Sequence, residues 1–114
     1  MPTPLPLLAR ADTCGTTVIG RVLTAEEAEQ TARTFKALGD PTRVRLLSLI
    51  AAATDGEACI CDLTGPVGLT QPTVSHHMRL LADAGLVTRE QRGRWAYYRV
   101  VTDALDQASR ALRP

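Results

Sequence analysis

No apolar stretch in the 114-residue sequence exceeds a few residues, and the opening Met1-Pro2-Thr3-Pro4 has neither a basic start nor an apolar block. Those absences argue against a membrane span and an export leader, so the chain is expected to work unanchored in the cytoplasm. Internal repeats and low-complexity tracts are missing too, which excludes solenoids and linker-dominated chains. Cysteine is scarce, at three residues. Cys59 and Cys61 lie too close together to frame a structural disulfide, and in a reducing compartment they should be free thiols. No nucleophile, base and orienting acid stand at a recognisable spacing, and no helix-and-strand redox frame surrounds the Cys-x-Cys, so no enzyme is expected.

Net charge is also small, at +1, but it is unevenly spread. Leu69 to Arg99 carries five arginines (Arg79, Arg89, Arg92, Arg94, Arg99) against Asp83 and Glu90, a local +3. Met1 to Gly68 has six basic and eight acidic residues, a local −2. A basic face of this kind is what DNA phosphates need. The length allows one modest domain with one core, and a core this small is often stabilised by dimerisation.

The pattern of caps and periods divides the chain into an N-terminal arm over 1–23, carrying Cys14, and a folded domain over 24–114. Thr24-Ala25-Glu26-Glu27 reads as a capping box, opening a helix that runs to Leu38. Gly39 ends it, Asp40 caps the next helix with Pro41 at its first position, and Val44, Leu46, Leu47, Leu49 and Ile50 form the apolar side. A short helix is expected over Cys59 to Leu63, with Gly65, Pro66 and Gly68 forcing a turn. Thr70 caps a helix from Gln71 to about Ala84 that buries Val74, Met78 and Leu81. Leu86 to Glu90 and Trp95 to Val101 read as two strands joined at Gln91-Arg92-Gly93, and Thr102 or Asp103 caps a last helix containing Ala104, Leu105, Ala108 and Leu112.

Helix, glycine-bearing turn, helix, then basic hairpin is the order of a winged helix-turn-helix, an α+β and mainly α fold with about five helices and a two-stranded wing. Polar side chains crowd the first turns of the second helix of that unit, where recognition helices meet base edges. Gln71 can bridge an adenine edge, Thr73 and Ser75 can reach bases or phosphates, and Arg79 suits a phosphate. His76 and His77 can bond to DNA, although a structural hydrogen bond is an equal reading for each. Arg92 and Arg94 at the wing tip would suit a minor groove. Trp95, Tyr97 and Tyr98 read as packing residues rather than base stackers.

Three motifs in order, Phe35-Lys36-Ala37-Leu38-Gly39-Asp40-Pro41-Thr42-Arg43-Val44-Arg45-Leu46-Leu47, Cys59-Ile60-Cys61-Asp62-Leu63 and Thr70-Gln71-Pro72-Thr73-Val74-Ser75-His76-His77-Met78, resemble the ArsR/SmtB metalloregulator family over roughly Glu26 to Val101. The resemblance implies a homodimer built on the first and last helices, binding an inverted repeat of operator double-stranded DNA and releasing it when metal binds. It also marks the Cys-x-Cys as a metal or arsenite site. On a regular helix Cys59 and Cys61 would point about 200° apart, so chelation requires an irregular helix start. Soft ions prefer thiolates. With Cys14 as a third ligand the set suits As(III) or Sb(III), whereas four-thiolate Cd(II) or Pb(II) sites lack a further evident ligand. Related sensors use an arm cysteine across the dimer, although arsenic sensors often place the third cysteine just after the pair, where this chain has Thr64 and Gly65. Asp62 reads as a solvent-facing helix-start acid. A thiol redox switch on the same fold ranks second, because Glu57 and Asp62 should raise rather than lower the thiol pKa.

Overall fold

The computed structural model describes residues 20–113. Helix α1 (Ala25–Leu38) opens on the expected capping box, with the Thr24 hydroxyl accepting from the Glu27 amide and the Glu27 carboxylate accepting from the Thr24 amide. After Gly39, Asp40 accepts from the Thr42 and Arg43 amides at the head of α2 (Pro41–Ala52). A single 3-10 turn (Thr54–Gly56) leads into strand β1 (Glu57–Cys59), α3 (Ile60–Val67), α4 (Gln71–Asp83), β2 (Val87–Arg92), β3 (Trp95–Val100) and α5 (Thr102–Ala111). The five helices and the antiparallel hairpin make a winged helix-turn-helix. None of the described helices is long and apolar enough to cross a membrane.

The expected two-stranded wing, β2 and β3, is joined by a third strand, so that the sheet runs in the order β1-β3-β2. Strand β1 is three residues long, too short to show an alternating pattern, and exists because β3 offers it an edge in the register Glu57↔Arg99, Ala58↔Tyr98, Cys59↔Tyr97. Helix α3 is also longer than Cys59 to Leu63. It continues through Gly65 and Pro66 and stops at Gly68, whose left-handed backbone (φ 68°) brings its amide to the Thr64 and Gly65 carbonyls. The hairpin turns at Gly93 and Arg94, because Arg92 pairs directly with Trp95. Helix α5 starts at Thr102 without a side-chain cap, and Leu112 lies past its end, exposed.

The core sits where α2, α3 and α4 meet the inner face of the sheet. Leu46, Ile50, Leu63, Val74, Met78, Leu81 and Leu86 are completely enclosed, each removing apolar surface worth about 25 cal/mol per Å² from water. Val44, expected on this apolar side, is instead 48% exposed. It stands two residues before Leu46, on the face of α2 turned from the core. Tyr98 is buried as expected, while Trp95 stands 39% exposed beside the wing turn.

Candidate functional site

Helix α4 is held to α3 by the turn Gly68-Leu69-Thr70. The Thr70 hydroxyl accepts from the Thr73 amide and donates to the Thr73 hydroxyl, so both threonines fix the helix start. There is no acid in the first turn of α4, which leaves its positive dipole end free for phosphate. Gln71, Ser75 and Arg79, four residues apart, line an open groove of about 500 Å³ facing Arg89, Gln91 and Arg94 of the wing. Thr73 and His76 are exposed beside this stripe.

The two histidines part company. His76 is exposed, whereas half-buried His77 turns back to α2, its Nδ1 lying 3.2 Å from Nη1 of Arg43. A guanidinium only donates, so Nδ1 accepts and the ring proton lies on Nε2. Arg43 is itself fixed by donating to the Ala37 carbonyl at 2.6 Å. This pair orients the recognition helix on α2.

Alternation along the hairpin divides the arginines. Arg89 and Arg94 face the recognition helix, while Arg92 belongs to the opposite face. There Arg92 makes a bidentate pair with Glu57 at 2.7 and 2.6 Å, a further bond to Glu90 at 2.6 Å, and stacks 4.4 Å over the Tyr97 ring. Arg99 adds a 3.1 Å contact to Glu57 and donates to the Asp55 carbonyl. These cations hold the Glu57 carboxyl below its ordinary value of 4.5, chiefly through the hydrogen bonds from Arg92. The sequence pairs Arg92 with Arg94 at the wing tip, but the groove is lined by Arg94 with Arg89 and Gln91 instead, two residues not singled out as contacts. Counting strand parity from buried Val87 would have found both.

The thiol pair lies where β1 ends, with Cys59 opposite Tyr97 of β3. Cys59 is the N-cap of α3, with extended backbone (φ −74°, ψ 146°), and its sulfur accepts from the Cys61 amide at 3.4 Å. That non-helical residue removes the opposed directions of a regular helix. The two sulfurs and an Asp62 carboxylate oxygen all lie within 4.8 Å of one another. Cys59 is 3% exposed, while Cys61 and Asp62 face solvent. The Cys61 thiol is pushed up to about 11, first by its hydrogen bond with Cys59, then by burial and by the electrostatic influence of Cys59 and of the Asp62 carboxylate. A protonated thiol is a poor nucleophile, and both cysteines are free. Cys14 lies outside the described residues.

A family model described as "Bacterial regulatory protein, arsR family" matches residues 40–89, from the cap of α2 to the wing. An HTH-type transcriptional regulator of Methanocaldococcus jannaschii is 39% identical over 82 residues, which is 72% of this chain and 90% of that protein. The chain belongs to the ArsR family. It is therefore a transcriptional regulator with a helix-turn-helix DNA-binding fold rather than an enzyme. An arsenical resistance operon repressor of Staphylococcus xylosus is 38% identical over 68% of this ArsR-family chain and 72% of its own length. Against several other curated relatives the chain spans about half of their length, 50% and 53% for two arsenic-resistance regulators of Pseudomonas putida and Halobacterium salinarum. Among solved structures, the AntR antimony-specific transcriptional repressor superposes with a TM-score of 0.66 at 31% identity, covering 82% of this chain and 83% of that one. A homodimeric winged helix-turn-helix DNA-binding domain from Mycobacterium bovis gives 0.65 at 26% identity, covering 82% and 84%.

Proposed function

We propose that this ArsR-family chain is a homodimeric repressor that leaves an inverted-repeat operator when As(III) or Sb(III) binds its cysteine thiolates. The observation that carries the reading is the placement of Cys59 at the cap of α3, which brings its sulfur beside that of Cys61 at the start of the helix preceding the recognition helix. Two convergent sulfurs, one buried and one open to solvent, suit a soft ion arriving from water. Cys14, from the arm over 1–23, is proposed as the third thiolate, and the arsenical and antimony names of the relatives support the choice of ion. Cd(II) or Pb(II) is the competing inducer of the same site. The mainly protonated state of Cys61 argues against a redox switch.

Operator contact is assigned to Gln71, Thr73, Ser75, His76 and Arg79 of the recognition helix and to Arg94 with Arg89 on the wing. His77 acts through Arg43, and Arg92 acts by shaping the wing. Contact with the partner chain is assigned to α1 and α5, which pack together with Thr31, Ala104 and Gln107 beside one another. For a hundredfold loss of operator affinity, the inducer must favour the released state by about 2.7 kcal/mol, within the reach of thiolate coordination.

The test is operator anisotropy under reducing conditions, titrated with arsenite, antimonite, cadmium and lead for the parent, Cys14→Ser and Cys61→Ser. Release by arsenite and antimonite that both substitutions blunt supports the three-thiolate reading. Release by an oxidant alone, with no ion effective, refutes it in favour of the redox switch.

A further inference from the structure

The Cys59 sulfur and the wing belong to one piece of sheet. Strand β1 ends at Cys59, and its first residue, Glu57, lies two positions away at the other end of the same three residues. Glu57 does not touch the groove that faces DNA. It grips the hairpin from behind, joining β1 to β2 through Arg92 and to β3 through Arg99, while Arg92 is also packed on Tyr97, the β3 partner of Cys59. The Glu57 side chain is only 19% exposed, so its ion pairs are better shielded from water than ordinary surface pairs. The strand is too short to flex internally, since all three residues are paired with β3.

From this geometry we infer that Glu57 is a positioning residue of the DNA interface: through the Arg92 fork it sets the wing's tilt and transmits to the wing any shift of Cys59. The recognition helix is then not the sole element to feel the thiols. A ligand drawing the Cys59 and Cys61 sulfurs together pulls on the last residue of β1. The Glu57 clamp converts that pull into a rotation of the hairpin carrying Arg89 and Arg94. Because β1 crosses to β2 through the Arg92 fork, the paired hairpin moves as one body. This inference rests on the thiol-site reading only for the identity of the natural inducer.

The wing carries its own reporter. Trp95 is the single tryptophan of the chain and stands half-exposed next to the hairpin turn. The experiment follows Trp95 emission in the DNA-free protein under reducing conditions, with arsenite and separately with phenylarsine oxide. The latter joins two thiols to one arsenic with loss of one water. Thiol occupancy is read in parallel by protection from a thiol-labelling reagent. The parent, Glu57→Gln, which removes the carboxylate charge, and Arg92→Lys, which keeps charge but breaks the fork, are compared. The expected result is a saturable Trp95 shift in the parent that tracks occupancy, and loss of most of that shift in both variants with occupancy unchanged. In operator binding, the variants should reduce a hundredfold inducer effect to about tenfold or less.

A Trp95 signal that ignores bound phenylarsine oxide in the parent overturns the inference, as does a shift that survives undiminished in Arg92→Lys. If arsenite leaves the thiols unprotected while phenylarsine oxide still moves Trp95 through Glu57, the coupling stands and the arsenite reading fails. Should Glu57→Gln not fold, Arg92→Lys alone decides, because it retains the Glu57 to Arg99 pair.

Discussion

Cys59 and Cys61 are chemically unequal despite being two positions apart. Cys59 is buried and caps a helix, while Cys61 faces water with its thiol pushed up to about 11. That difference separates the two classes of inducer. A divalent ion such as cadmium displaces one proton for each thiol it takes, whereas arsenous acid exchanges each hydroxyl for a thiol and releases water, leaving the proton count unchanged. Because the Cys61 thiol is neutral well above physiological pH, its engagement should make apparent cadmium affinity rise by about a decade per pH unit between about pH 6 and 8. Arsenite affinity should stay nearly flat. Isothermal titration across that range, in buffers of different ionisation enthalpy, measures the protons released. Equal slopes for the two ions would contradict the assignment of a protonated Cys61 thiol to the resting site.

At the scale of the element, the wing works by the parity of its strands. Arg89 and Arg94 face the recognition helix across the groove, while Arg92 and Arg99 are joined by Glu57 on the other side. A phosphate contact contributes to the salt dependence of binding, because each neutralised phosphate releases counterion. Removing one should lower the slope of log K against log salt by about one and weaken all sequences alike. Arg94→Ala and Arg89→Ala are expected to do this. Arg92→Ala should leave the slope nearly unchanged while altering affinity through the wing's tilt. A full unit lost from the slope in Arg92→Ala would place that guanidinium on DNA. Operator titrations at four or five salt concentrations separate the outcomes.

At the scale of the whole molecule, α1 and α5, the first and last helices described, lie against each other. Helix α5 shows a single buried residue, Ala108, and Leu112 just past its end is open to solvent. A small domain that completes its core with a second copy is stabilised by mass action. The thermal midpoint should therefore rise as protein concentration rises. An Ala108→Glu substitution, placing a charge in the α1 to α5 contact, should abolish that dependence and shift sedimentation toward the monomer. Operator affinity should fall with it, because two recognition helices held one helical turn apart bind an inverted repeat far better than one. A midpoint independent of concentration in the parent would argue that the folded unit is the single chain.

Local rules determined much of this protein. The Thr24 capping box, Asp40 with Pro41, and the three- and four-residue spacing of Val74, Met78 and Leu81 act over a few residues, so their elements and buried faces were legible without a fold. The Cys-x-Cys was visible for the same reason, and the family resemblance supplied its reading as a candidate soft-ion site. What the chain could not declare locally depends on partners distant in sequence. Strand β1 exists because β3, almost forty residues later, offers it an edge, and α3 runs past Gly65 and Pro66 because the packed core and the Gly68 stop hold it. The cap that lets Cys59 turn toward Cys61 is set by where β1 ends. The partners of Arg92 and His77 followed only from tertiary contact, since Glu57 pairs with the one and Arg43 with the other. A polar side chain near DNA-reading residues looks the same in sequence whether its partner is a phosphate or a neighbouring residue. Only the packing, by bringing a carboxylate or a guanidinium within hydrogen-bond reach, decides between them.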